Sequence, residues 1–217
     1  MKRAQLAICH PRDDPRDYIK GPLSEDMETP VVLFSPNFIC LEVIGPDMPE
    51  LAFYDLPGAI NVASSHDEQY TVKIVETIVK SYLEKTETLV LLACAANQDI
   101  ENSTAFRFVL DTKAQDRCMG VLTKPDLATG TQGSRTQISR LLKREIFRLE
   151  YGWYVTKQLS QDQLNSGIGH AEARKLEKDY FASERWADCP ADLQARLGIP
   201  NLQDAISHQL TDHILRM

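Results

Sequence analysis

Residues 89–96 (LVLLACAA) are the longest unbroken apolar run in this chain, and nothing else in the sequence restricts its fold as sharply. The run is far short of the ~20 residues that a bilayer-spanning helix needs. As a strand it has no polar face to turn to water. Both faces must then be covered, as for a strand inside a parallel sheet with helices on either side. The flanking residues agree. From Asp67 the apolar positions recur at the helical period, with Val72, Val75, Ile78, Val79, Tyr82 and Leu83 on one face. After the run, Asn102 or Ser103 can cap a helix that turns Phe106, Val109 and Leu110 inward. Residues 118–122 (CMGVL) read as the next strand, Ile138, Leu141, Leu142 and Leu149 mark a further helix, and residues 153–156 a last short strand. This alternation predicts an α/β fold with a mostly parallel sheet flanked by helices.

Upstream, residues 38–44 (FICLEVI) and 51–55 (LAFYD) read as two antiparallel strands joined by a turn at Gly45, Pro46 and Asp47. Ahead of them, residues 11–36 hold five of the eleven prolines and six acids, so residues 1–36 are expected to be a loosely ordered, proline-rich segment. Only residues 4–9 within it read as a short helical turn. From about residue 160 the pattern is helical: residues 171–181, then 193–197, then a helix from Asn201 with Leu202, Ile206, Leu210 and Ile214 on one face. No internal repeat or low-complexity tract is present.

Lys and Arg number 24 against 31 Asp and Glu, a net charge of −7, which argues against a nucleic-acid partner or binding to an anionic membrane. The five cysteines (Cys9, Cys40, Cys94, Cys118, Cys189) are scattered with no CxxC, so reduced thiols in the cytosol are expected rather than a disulfide scaffold or zinc ribbon.

In parallel sheets ligands sit beyond the carboxyl ends of the strands. Three segments fall there: Asp55, Leu56, Pro57 and Gly58; Thr123, Lys124, Pro125 and Asp126; and Thr156, Lys157 and Gln158. A DxxG alone is expected about once by chance in a chain this long, whereas [NT]KxD occurs in roughly one such chain in ten or fewer. Both, in order, at the ends of predicted strands, are far less common. The chemistry suits a guanine nucleotide. The Asp126 carboxylate can accept two N–H bonds, from guanine N1 and its exocyclic amine, as a charge-assisted pair. Adenine presents a lone pair at N1 and would be rejected. The Lys124 stem can lie along the base with its ammonium in water. Asp55 can hold a magnesium ion through water, and Gly58, without a Cβ, lets its N–H approach a terminal phosphate.

Residues 53–58, 96–103 (ANQDIENS), 120–127 (GVLTKPDL) and 198–214 (GIPNLQDAISHQLTDHI) together resemble the GTPase domain of the dynamin superfamily, in family order, most nearly its Mx-like and fungal dynamin-related branch. The resemblance covers residues 35–217. It implies a P-loop GTPase fold, GTP with Mg2+, and roles in membrane or organelle remodelling. It implies that Asp55, Leu56, Pro57 and Gly58 form switch II, with Asp55 on magnesium through water. Thr123, Lys124 and Asp126 would then read guanine, and Lys157 and Gln158 would sit in the loop that closes over the base. That family often has Asn or Cys then Arg in this loop; here Leu159 follows Gln158.

No GxxxxGK[ST] occurs and no Gly-Lys pair exists, so the phosphate loop and its lysine are missing from these residues, as is a switch I threonine. The reading that follows is an incomplete G domain: residues 37–217 as a partial domain lacking its first strand and P-loop, with Met1 as an internal start and no catalytic residue assigned. A gap or narrowed join between residues 51–55 and 89–95 is expected, with self-association. Three functions are open: a fragment of a large GTPase, a non-enzymatic remnant that pairs with full-length dynamin-like G domains, or a piece of a longer enzyme. Cytoplasmic placement is expected, with any membrane or organelle association coming through a longer protein, since no membrane segment is present. Other clusters carry less. Ser64, Ser65, His66 and Asp67 are adjacent and cannot form a triad; His208 and His213 do not share a helix face; and Lys143, Arg144 and Arg148 read as a solvated basic face.

Overall fold

The computed structural model describes residues 2–32, 35–46, 51–58, 66–128, 132–187 and 189–216. Three strands, β1 (Val90–Ala95), β2 (Cys118–Thr123) and β3 (Trp153–Val155), hydrogen-bond in that order as a parallel sheet. Val90 pairs with Cys118, Ala95 with Thr123, Gly120 with Trp153 and Leu122 with Val155, so all three strands end on the same side. The helices, in chain order, are α1 (Lys2–Ile8), α2 (Glu25–Glu28), α3 (His66–Leu83), α4 (Thr104–Asp111), α5 (Gln132–Leu142), α6 (Gln161–Asn165), α7 (His170–Phe181), α8 (Ala191–Gln194) and α9 (Ile199–Arg216). The α/β class and the parallel sheet between helices match the sequence reading. The chain divides into two units, Met1–Val79 and Lys80–Met217.

In the second unit β2 is central and buried along its length from Cys118 to Leu122. Beside it Trp153 is fully buried, and its Nε1 donates to the Phe147 carbonyl at 2.8 Å. The indole lies over Gly120, where any Cβ would overlap the ring, so glycine is required for the two strands to pair. Ser103 caps α4 by accepting from the Phe106 amide at 3.3 Å. Arg117, just ahead of β2, donates to the Thr88 carbonyl at 2.7 Å and to the Leu83 carbonyl, satisfying the end of α3 with a cation.

Several expectations are corrected. Residues 38–44 and 51–55 form no strands. Neither segment belongs to a strand or helix among the described residues, and Phe38, Ile44 and Phe53 are between 74% and 86% exposed. A two-stranded hairpin is marginal in water unless a sheet or helix covers it. The expected gap between two sheet strands is replaced by something simpler: residues 51–55 are outside the sheet and β1 is its edge among the described residues. β1 is also buried on one face only, with Leu91 half exposed between buried Val90 and Leu92. In α4 Phe108 is buried while Leu110 is exposed. Leu149 is buried but lies in a loop beyond α5, and α9 begins at Ile199 rather than Asn201. Lys143, Arg144 and Arg148 are exposed, as a solvated basic face requires, and the two arginines also bond to carbonyls of their own loop, Leu149 at 3.3 Å and Arg144 at 3.1 Å. Ser64 and Ser65, and the turn residue Asp47, lie outside the described residues.

The first unit holds more local structure than its proline count suggests. The buried His10 ring contacts the Leu6 carbonyl through Nδ1 at 2.8 Å and the Asp26 carbonyl through Nε2 at 3.3 Å, joining α1 to α2. The Tyr18 ring lies tilted beside it, centroids 5.4 Å apart, and its hydroxyl donates to Asp13 at 2.7 Å. Both His10 partners are acceptors, so both bonds form only when both ring nitrogens carry protons. The bond to Leu6, then those to Asp26 and Thr29 and the charge of Asp13, raise its pKa above the ordinary 6.5 although desolvation opposes them. The sign follows. This contribution is complete below the unfolded-state pKa and is lost as pH rises through the raised folded value. The ring nitrogen shifts of His10 should titrate with a midpoint above 6.5, and protection of the Val32 amide, which bonds to the Cys9 carbonyl, should fall through the same midpoint. A midpoint at or below 6.5 would show a neutral ring.

Candidate functional site

The carboxyl ends of β1, β2 and β3 carry three loops on one side of the sheet, all within the second unit. The Ala96 amide donates to the Thr123 carbonyl at 2.7 Å and the Thr156 amide to the Leu122 carbonyl at 2.9 Å, so the three loops leave the sheet side by side. Thr123 donates its hydroxyl to the Cys94 carbonyl at 3.3 Å. Lys124 then takes a left-handed backbone (φ 53°) and Pro125 is fully buried, which turns the chain sharply out of the strand. Lys124 is exposed and Asp126 is half-buried, so the carboxylate is within reach of solvent but set on a fixed loop.

Arg185 fixes that loop. Its Nη2 donates to the carbonyls of Pro125 at 2.9 Å and Ala128 at 2.7 Å, from a single-turn 3-10 helix about sixty residues later in the chain. No local pattern marks this residue in the sequence.

Beyond β3, Thr156 is fully buried and accepts from Gln158 Nε2 at 2.8 Å. The Gln158 side chain is thereby folded back on its own strand. Lys157 reaches the Gln158 carbonyl at 3.4 Å and lies 5.6 Å from the Tyr180 ring centroid. Its backbone amide donates to Glu177 Oε1 at 2.9 Å. Glu177 is a buried acid on α7, one of the few buried charged side chains among the described residues, and its only sequence signal is its place on the helix face between Ala173 and Tyr180.

The structure thus brings together five of the sequence-derived residues, Thr123, Lys124, Asp126, Lys157 and Gln158. Asp55, Leu56, Pro57 and Gly58 belong to the other unit. There they lie outside any helix or strand, Asp55 and Gly58 are exposed, and Leu56 and Pro57 are half-buried. A Cβ on Gly58 would meet nothing within 4 Å, so packing does not require this glycine. Among the described residues no group of three or more His, Cys, Asp or Glu could hold a metal ion. Asp55 is an exposed carboxylate outside any such group. It fits magnesium only as one water-mediated contact, with nucleotide phosphates supplying the rest of the shell. His208 and His213 contribute no metal cluster. No helix among the described residues is long and apolar enough to cross a membrane.

Comparison with known proteins agrees with the motifs. The interferon-induced GTP-binding protein Mx of Solea senegalensis is 28% identical over 181 residues, covering 83% of this chain and 29% of that protein. Mx1 of Ovis aries is 30% identical over 188 residues, 84% of this chain and 28% of the relative. Mx1 of Oncorhynchus mykiss is 26% identical over 205 residues, 93% of this chain and 32% of the relative. The chain therefore spans under a third of the length of these relatives. The family model described as "Dynamin family" matches residues 13–125, just over half of the 217 residues, and with this match the chain belongs to the dynamin family.

Proposed function

We propose that this chain supplies the base-recognition side of a guanine-nucleotide-binding domain, as a fragment of a dynamin-like large GTPase. The observation that carries the reading is the loop at the end of β2, where a half-buried Asp126 follows a sharply turned Lys124 and buried Pro125, held from behind by Arg185. Such a carboxylate matches the two adjacent donors of guanine and no edge of adenine. The relatives' description as GTP-binding proteins supports the same ligand. In this reading residues 37–217 are a partial G domain, helical from about residue 160. Asp55 contacts magnesium through water, Gly58 faces the terminal phosphate, and Lys157 and Gln158 border the base. Membrane or organelle remodelling would belong to the longer assembly.

A second reading, a non-enzymatic module that pairs with dynamin-like G domains through its nucleotide face, is favoured by one observation. These residues contain no Gly-Lys pair and hence no phosphate-loop lysine. Phosphoryl transfer rests on positioned charge, chiefly that lysine, magnesium and the switch residues. Titration with fluorescent GTP, displaced by GTP or ATP, tests the base reading. Displacement by GTP at lower concentration than ATP is expected, and equal displacement would overturn it. Phosphate release should stay at the buffer rate. Release above that rate, abolished by Asp55→Ala, would instead show that the chain carries out the chemistry itself.

A further inference from the structure

We infer that Glu177 is a positioning residue that ties the loop after β3 to the start of α9, so that the base-side loop and α9 move as one. The inference rests on the reading of Lys157 and Gln158 as the base-side loop. One buried carboxylate serves three donors from three places. Oε1 accepts from the Lys157 amide at 2.9 Å. Oε2 accepts from the Ile199 amide, the first residue of α9, at 3.1 Å, and from Arg174 Nη1 at 2.9 Å, one turn back on α7. Glu177 is 2% exposed, so water has no ready route to replace a lost bond.

The backbone around it closes a ring. Gly198, with φ +87°, turns the chain beneath the carboxylate, and its amide donates to the Val155 carbonyl at 2.8 Å. The Val155 amide in turn donates to the Arg196 carbonyl at 2.9 Å. The end of β3 and the start of α9 are therefore joined twice, by backbone pairing and by Glu177. Displacing α9 stretches a bond to the same rigid carboxylate that holds Lys157. A carboxylate with fixed oxygen spacing cannot follow both amides at once. The negative charge also sits where the exposed amides of an 18-residue helix favour an anion.

The experiment reads amide hydrogen exchange at Lys157 and Ile199, with β1 amides as internal reference, alongside the preference for GTP over ATP. Glu177→Gln keeps the size and one acceptor oxygen but turns a donor toward Arg174 or an amide. Protection at both Lys157 and Ile199 should fall about tenfold or more relative to β1, together with about a tenfold loss of GTP affinity. Asn201→Ala approaches from the other side. Asn201 donates to the Leu197 carbonyl at 2.7 Å and makes no bond to the base-side loop. If the coupling holds, its removal loosens Lys157 as well as Ile199. Exchange that rises at Ile199 while Lys157 stays at the wild-type rate overturns the inference, and does so even if Glu177→Gln does not fold. The exchange arm needs no nucleotide. Coupled exchange without any GTP preference therefore supports the tie through Glu177 while rejecting the base reading, and an intact GTP preference with uncoupled exchange does the reverse.

Discussion

Asp126→Asn should remove the preference for guanine over adenine nucleotides, a loss of two or more orders of magnitude in relative affinity. A carboxylate presents two acceptors to guanine N1–H and the 2-amino group. An amide presents one acceptor and one donor, so one guanine donor faces another donor. The same amide matches a base that carries a carbonyl in place of the 2-amino group. Xanthine nucleotides should therefore bind the variant better than guanine nucleotides do. The gain matters more than the loss, because unfolding can abolish binding but cannot reverse a preference. Competition titrations with GTP, ATP and XTP on wild type and variant decide the matter. A variant that keeps guanine preference would mean that Asp126 does not touch the base.

Trp153→Ala should be the most damaging single change to the second unit, at about 3–5 kcal/mol. The indole is fully buried against β2, over Gly120, and the change removes its packing. It also removes the donor to the Phe147 carbonyl, at a residue already held at φ 45°. Against a typical total stability of about 5–15 kcal/mol, the variant retains little margin. Trp153→Phe keeps much of the ring but not the N–H, and should cost less. Urea unfolding of the two variants separates packing from hydrogen bonding. A loss under about 1 kcal/mol for the alanine variant would show that neighbouring side chains collapse into the space.

The order of elements along residues 66–216 was legible because local signals and burial agree there. The apolar run of β1, the Ser103 cap and the period of α3 each depend on neighbours a few residues away. The strands expected at residues 38–44 and 51–55 were misread because their composition suits a strand, while pairing requires a partner that composition does not supply. The candidate site divides along the same line. Asp126 and Lys124 sit in a short motif whose chemistry is local. Arg185 and Glu177, which hold the two loops, act across some sixty and twenty positions respectively. Nothing near either residue in sequence announces its partner. The joint placement of Asp55 with Asp126 is a family expectation that rests on motif order.

The parallel sheet also sets an order of events during synthesis. Every ladder pair joins residues roughly thirty positions apart, and such distant pairings form late because loop closure must precede any gain from contact. Val155 completes its bonding only with Arg196, so β3 is not fully held until the chain has reached that residue. A ribosome adding about 5–20 residues per second therefore leaves β1, uncharged from Val90 to Ala95, waiting some seconds for its neighbours to arrive. During that interval an unguarded edge is open to any extended peptide nearby. For this chain the hazardous moment is the one before the sheet exists, when residues 90–95 have no strand to pair with.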